Sequence, residues 1–348
     1  MLAFLVTGRG SGSVQEVPAP VAGPGQVVID VHRVGVCGTD LGLFDADEAR
    51  LQHARTGYPL RLGHEWVGTV TGYGSGVDPS WLSRRVTGDT MLGCGVCERC
   101  RKGQHHVCED RYEVGVRGGW PGALAERLLM PAVALHALPD SVDDTTGALV
   151  EPGANAYRAV SEAAAGAGSR LLVLGPGTIG LLCAQFGRAR GAEVHVLGPT
   201  GSSLDLARRL GIAGAWTADN LPSLAWDAVI DATNGDQMPS FAAEVVEPAG
   251  RIVYIGISAG PSLVDSRTLV RKGVTAVGVL GGSSALAPTI DAFASGAVDP
   301  SPLVKETVGL DVVSEVLSGR RWPTEGGPPK THVDPQLPTR VRSTAKNQ

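Results

Sequence analysis

Beyond about Ser161 the chain alternates apolar, β-branched runs with helical ones, a rhythm that few folds satisfy. SRLLVLG, AEVHVLG, WDAVIDAT, GRIVYIG and TAVGVLGG read as buried strands. Between them TIGLLCAQFGRARG, SSLDLARRLG and SFAAEVVEPAG read as helices, the second ended by Gly211. Strands that alternate regularly with helices predict an α/β fold with a doubly wound parallel sheet, here over 153–283. The next segment, LAPTIDAFASGAV, is expected to begin a return toward the first part of the chain.

The first strand of that sheet runs into LLVLGPGTIGLL, where Gly175, Gly177 and Gly180 form G-x-G-x-x-G around Thr178 and Ile179. A strand before the motif and a helix after it make this a dinucleotide signal. Gly175 permits the tight turn, Gly177 lets backbone approach a pyrophosphate, and Gly180 allows close helix–sheet packing. Unpaired N–H groups at the helix start then face the phosphates. An Asp or Glu about 20 residues further on normally binds the ribose 2′-hydroxyl of NAD. VLGPTGSS has Gly198 at that place, followed by Thr200, Ser202 and Ser203. With no carboxylate to repel a 2′-phosphate and three hydroxyls to receive one, NADP(H) is expected over NAD(H). The loop itself holds no arginine; Arg208 and Arg209 lie on the following helix.

Residues 1–150 have a different texture, with GQVVIDVHRVGV, HEWVGTVTGYG and GALAERLLMP as short strands between turns. Inside this β-rich part Cys94, Cys97, Cys100 and Cys108 stand as C-x2-C-x2-C-x7-C, a spacing that wraps four thiolates around one tetrahedral zinc. Gly93, Gly95 and Gly103 let the backbone turn around the sulfurs. Such a site has no open position and predicts structure, not catalysis. The chain has six cysteines, the other two being Cys37 and Cys183. The apolar start at Met1–Thr7 lacks a basic flank and runs at once into GRGSGS, so a signal peptide is not expected and a reducing, cytoplasmic setting is. A net charge of −5 argues against a nucleic-acid partner, and no apolar run approaches the roughly 18 residues of a membrane span. The last ten or so residues are expected to be disordered.

Three further motifs complete the pattern. GVCGTD carries Cys37, Thr39 and Asp40; LGHEWVG carries His64 and Glu65; LVEPGANAYRA carries Glu151 at the junction of the two textures. In this order, with the cysteine loop between GHE and VEP and the glycine turn after them, the chain resembles the zinc-dependent medium-chain dehydrogenase/reductase superfamily, which includes alcohol, polyol, threonine and glucose dehydrogenases. The likeness runs from about Val27 to His332.

The resemblance implies a GroES-like β-rich catalytic domain of residues 1–152 and 284–348, with a structural zinc lobe at about 91–110, and a Rossmann cofactor domain at 153–283. It implies a second, catalytic zinc on Cys37, His64 and Glu151, and the polyol and sugar branches are those with Glu in the third place. Glu65 matches a carboxylate able to approach the metal, Asp40 a residue that orients the ligands, and Thr39 the hydroxyl that relays the substrate proton. A small-molecule alcohol or carbonyl substrate and a homodimer or homotetramer are expected on the same ground. A simple alcohol or aldehyde reductase, or a threonine-type dehydrogenase using NAD(H), is the neighbouring reading. A zinc-binding regulatory protein without turnover is the remote one. Where many relatives place His three residues after the relay hydroxyl, this chain has Gly42, which leaves water or His53 as the proton's way out. Ser83-Arg84 replaces the usual Gly-Asp before Arg85-Val86. The atypical stretch Asp45–Tyr58, with Trp66 and Gly118-Gly119-Trp120, is expected to shape the substrate pocket, with core packing the alternative for the two tryptophans. His105 and His106 are expected to be solvated, and His195 to be a buried structural residue.

Overall fold

The computed structural model describes residues 1–321 and 325–339, and the chain divides into two units. One comprises Met1–Glu151 and two returning segments that begin at Val304 and at Lys330; the other comprises Pro152–Leu303 and a short segment ending at Pro329. The first unit contains β1 (Leu2–Gly8), β2 (Ser11–Glu16), β3 (Gln26–Gly35), β4 (Glu65–Tyr73), β5 (Arg85–Gly88), β6 (Met91–Leu92), β7 (Tyr112–Glu113), β8 (Arg127–Pro131) and β9 (Leu135–Ala137). The second contains β10 (Arg170–Leu174), β11 (Glu193–Leu197), β12 (Gly214–Trp216), β13 (Trp226–Asp231), β14 (Val246–Tyr254) and β15 (Thr275–Gly278). The chain then re-enters the first unit with β16 (Val304–Val308) and β17 (Lys330–Val333).

The sheet of the second unit has the order β12-β11-β10-β13-β14-β15, every pair parallel. This is the doubly wound order that leaves a crevice beyond the carboxyl ends of its central strands. Leu171, Leu172, Val173 and Leu174 are fully buried, as a strand covered on both faces requires. Leu172, Leu174, Trp226, Val229 and Ile252 form its core.

The sheet of the first unit has seven strands, β16-β17-β3-β4-β5-β9 with β8 paired to β3. The long strand β3 sets the geometry that matters later. Its last residue, Gly35, stands opposite Glu65 at the head of β4 and opposite His332 on β17. Phe4, Ile29, Leu124, Leu128 and Met130 fill the core beneath, and Trp66 is fully buried with them, so Trp66 packs and does not line a pocket. Trp120 is half-buried; its Nε1 donates to Leu129 O at 3.1 Å and its ring meets Tyr112 edge-on. Ser83, where the family resemblance implies Gly, holds φ +64, a conformation that glycine adopts without strain.

Two expectations need adjusting. The helix Leu286–Ala294 does not start the return: Phe293 stacks on Phe186 at 6.0 Å, so the second unit extends to Leu303. Its apolar face fitted either domain by sequence, and packing decided. His106 is buried, and His105 lies 2.6 Å from Asp89, which raises its pKa, so these two rings are not simply solvated. The chain after β17 is anchored as far as Gln336, whose side chain donates to Val31 O and Glu126 O. The expected disorder of the last residues falls on 340–348, outside the described residues. His195 is structural as expected: its Nδ1 accepts from Trp216 Nε1 at 2.9 Å, and Nε2 meets Glu193 at 2.9 Å.

His332 is fully buried beside a cation, and burial together with the charges of Lys330 and Arg33 drives its pKa down to about 3. The folded ring stays neutral while an unfolded one protonates near 6.5. Stability should therefore fall as pH drops from about 6.5 toward 3, by up to ~1.4 kcal/mol per pH unit from this group. Urea midpoints measured across that range should show a flatter slope in His332→Leu than in the parent. An equal slope would mean that the ring protonates while folded.

Candidate active site

The helix Gly38–Phe44 begins directly after Cys37, and Asp40 in its first turn is fully buried. A buried carboxylate needs donors, and this one has them from two separate loops: Cys37 N at 2.9 Å and Gly63 N at 3.2 Å. His64 Nδ1 lies 3.3 Å from Asp40 Oδ1. Burial opposes ionisation of both groups. Their mutual attraction and the backbone donors prevail, holding Asp40 below the usual carboxylate range and raising His64. Asp40 thus ties together the two segments that carry Cys37 and His64, the orienting role expected of it.

Cys37, His64 and Glu65 each offer a ligand atom within 4.8 Å of the others. Thiolate, imidazole and carboxylate are a donor set that zinc accepts, and His64 and Glu65 are buried. The carboxylate of Glu65 fits because residue 35 is glycine; a Cβ there would collide with it. Both oxygens of Glu65 accept from Lys330 Nζ, at 2.8 and 2.7 Å, and the same ammonium donates to Val36 O at 3.1 Å. Lys330 and Glu65 are nearly inaccessible to solvent, at 3% and 1% side-chain exposure. Attraction to Glu65 outweighs burial and raises the Lys330 pKa. Lys330 was not singled out in the sequence; its only signal there is a lysine heading the otherwise β-like run KTHV.

Glu151 is half-buried in the first turn of the helix Val150–Glu162 and does not belong to the close group. The structure thus brings Glu65, not Glu151, to Cys37 and His64. Thr39 is exposed in the first turn after Cys37. The space beside Gly42 is taken by the guanidinium of Arg50, from the short helix Glu48–His53.

The four-cysteine loop closes as its spacing predicts. Sγ of Cys94 and Cys100 are 4.0 Å apart, those of Cys97 and Cys108 3.7 Å, and all four lie within 4.8 Å of one another. A tetrahedron with metal–sulfur bonds of about 2.3 Å has edges of about 3.8 Å, so the cage fits zinc. Backbone N–H groups of Val96 and Cys97 draw the Cys94 thiol down to about 6, which favours the thiolate that a metal requires.

In the second unit Gly175 adopts φ +99 at the end of β10, and a Cβ on Gly180 would collide with the Gly175 carbonyl. Gly177 caps the helix Thr178–Ala189 without any side-chain bond and has open space beside it. Thr178 and Ile179 form the helix's first turn. The bare N–H groups and the room beside them fit a pyrophosphate. Cys183, further along this helix, is fully buried with a raised pKa and is a packing residue.

Past the end of β11, Gly198 opens a loop that closes on itself. Ser203 Oγ donates to Thr200 O at 2.7 Å, and Ser203 N donates to Thr200 Oγ1 at 3.1 Å. Thr200 and Ser202 hydroxyls are 3.1 Å apart. Thr200 Oγ1 also donates to the carboxylate of Glu325, a residue that sequence reasoning passed over because it lies 125 positions away.

The family model described as alcohol dehydrogenase GroES-like domain matches residues 23–140, and the one described as zinc-binding dehydrogenase matches 178–295. An L-threonine 3-dehydrogenase of Anaeromyxobacter sp. (strain K) is 33% identical over 278 residues, covering 76% of this chain and 79% of the relative. A short chain alcohol dehydrogenase of Escherichia coli CFT073, complexed with NADH, superposes with TM-score 0.88 at 24% identity, over 96% of this chain and 99% of that one. A Sinorhizobium meliloti 1021 protein described as a zinc-binding dehydrogenase, bound to NADP, gives TM-score 0.86 at 25% identity, again over 96% and 99%. No helix among the described residues is long and apolar enough to cross a membrane.

Proposed function

Because the chain belongs to the zinc-containing medium-chain alcohol dehydrogenase family, we propose that it interconverts a secondary alcohol, polyol or sugar-like hydroxyl with its ketone or aldehyde. It is an NAD(P)-dependent oxidoreductase of the zinc alcohol dehydrogenase type. The observation that carries the proposal is the close group of Cys37, His64 and Glu65, with Asp40 bonded to the loops on either side. Such a site supplies a Lewis-acid zinc when loaded, and a nicotinamide on the glycine turn supplies or receives the hydride.

The chain's own residues then have distinct tasks. Asp40 keeps Cys37 and His64 in one arrangement. Lys330 fixes the position of the Glu65 carboxylate through two hydrogen bonds. Thr39 presents its hydroxyl to the substrate, takes the alcohol proton at Oγ1 and releases its own outward. Thr39→Ala should lower kcat by ~10²-fold or more with zinc content unchanged; unaltered turnover would remove Thr39 from the relay.

Glu151 remains our proposed third ligand, on resemblance and on one physical point. Both oxygens of Glu65 are bonded to Lys330, and ligation by Glu65 would break that buried pair. Metal analysis separates the two carboxylates: loss of one zinc in Glu151→Gln but not in Glu65→Gln supports Glu151, and the reverse assigns Glu65.

Glutamate in the third position favours a polyhydroxylated substrate. The 33% identity to an L-threonine 3-dehydrogenase supports the rival, an amino-alcohol substrate. Turnover of polyols, sugars, cyclic ketones and L-threonine with both nicotinamides decides between them, and activity on threonine alone would overturn the first. We also propose a homodimer or homotetramer joined through the cofactor unit. Its edge strand β15 is largely exposed, as are Ile257, Leu263 and Val270 on the same unit, a combination that natural sheets usually cover.

NADP(H) was expected because VLGPTGSS holds no carboxylate. Glu325, bonded to Thr200 from outside that loop, brings a carboxylate beside it, and the preference turns on what Glu325 does.

A further inference from the structure

The segment that carries Glu325 is docked on the loop after β11 by contacts of three kinds. The Glu325 carboxylate accepts from Thr200 Oγ1. The Gly326 carbonyl accepts from Arg209 Nη2 at 3.0 Å. Gly326 itself sits so close to the Ser202 carbonyl that a Cβ would collide with it, and its φ is +71, so only glycine suits the position. Thr200, Ser202 and Glu325 all remain exposed, and a ligand at the end of β11 can reach them.

Most groups suited to a 2′-phosphate are already engaged in this region. The Ser203 hydroxyl is turned into its own loop, bonded to Thr200 O. The Thr200 hydroxyl faces a carboxylate. Arg208 Nη1 is bonded to Gly201 O at 2.7 Å and to Asp205 at 2.8 Å, while Arg209 holds Gly326. Ser203, Arg208 and Arg209 are thus engaged elsewhere, and Thr200 lies beside a negative charge.

We propose that Glu325 replaces the missing carboxylate at the end of β11, accepting the ribose 2′-hydroxyl of NAD(H) and repelling the 2′-phosphate of NADP(H). The selectivity residue of the cofactor unit thereby comes from the segment just before β17 and not from the β11–helix loop. A carboxylate at this place acts by the physics of the usual Asp or Glu: it accepts from a hydroxyl and repels a dianion. The inference rests on the glycine turn and the loop from Gly198 to Ser203 being the dinucleotide site.

The test is equilibrium titration of the zinc-loaded protein with NAD⁺, NADP⁺, 5′-AMP and 2′-AMP, read by calorimetry. The parent should bind NAD⁺ at least ~10-fold tighter than NADP⁺. Glu325→Gln keeps a side chain of the same size beside Thr200 without the charge, and should shift the ratio toward NADP⁺ by about 10-fold, with a gain in 2′-AMP affinity. Gly326→Val, which cannot seat on Ser202, should shift the ratio the same way. Tighter binding of NADP⁺ by the parent, or a ratio unmoved by Glu325→Gln, overturns the proposal. Failure of all four ligands to bind the parent would instead bring down the dinucleotide site itself, and this inference with it.

Discussion

His64→Ala should lower kcat/KM by at least ~10³-fold, a loss of about 4 kcal/mol of transition-state stabilisation, and leave the purified protein with one zinc per chain in place of two. The size follows from the geometry around the ring. His64 is one of three close ligand groups, and no other histidine of the described residues joins them. Removing it leaves one thiol with carboxylates alone, a poor donor set for a borderline-soft cation whichever glutamate completes the site. Asp40 keeps its two backbone donors in the variant, so the fold should survive and the loss can be assigned to the site. The cysteine lobe has its own four thiolates and should retain its metal. A variant with two zincs and parental turnover would show that the reactive centre lies elsewhere.

What could be read from the chain and what could not divide along a physical line. Strand β10, the turn at Gly175 and the helix Thr178–Ala189 follow one another within twenty residues or so, and each leaves a local trace: an apolar run, a glycine pattern, a helical period. The four cysteines likewise form their cage from a single loop, so spacing alone specifies it. Cys37 and His64 belong to different motifs, and only the order of those motifs linked them. Lys330 and Glu65 are 265 residues apart, and Thr200 and Glu325 are 125 apart. Partners at such distances carry no periodicity or spacing to read. Glu65 was recognised as a carboxylate near the metal, but its placement with Cys37 and His64 depends on Gly35 leaving it room and on β17 delivering a cation. The boundary at Leu303 had the same origin, because the face of Leu286–Ala294 is apolar whichever unit it joins.

Lys330→Met should destabilise the protein by about 3–5 kcal/mol, the usual cost of leaving one member of a buried ion pair alone. Glu65 is 1% exposed, and both of its oxygens accept from this one ammonium. In the variant the carboxylate must stay charged without a donor, take up a proton, or pull water into a packed sheet end, and each course costs free energy. The Val36 carbonyl next to Cys37 loses its donor as well, which loosens the backbone that presents the thiolate. Lys330→Arg should recover less than the full loss, since the three acceptors are arranged around a compact ammonium and a planar fork needs more room. The double variant Lys330→Met with Glu65→Leu should regain most of the stability, because no buried charge is then left unpaired. It should not regain activity if Glu65 serves the metal, whereas a merely structural pair would allow turnover to return with stability. Urea denaturation of the parent, Lys330→Met, Glu65→Leu and the double variant closes the cycle, and a coupling energy below about 0.5 kcal/mol would mean that the pair contributes almost nothing beyond its separate members.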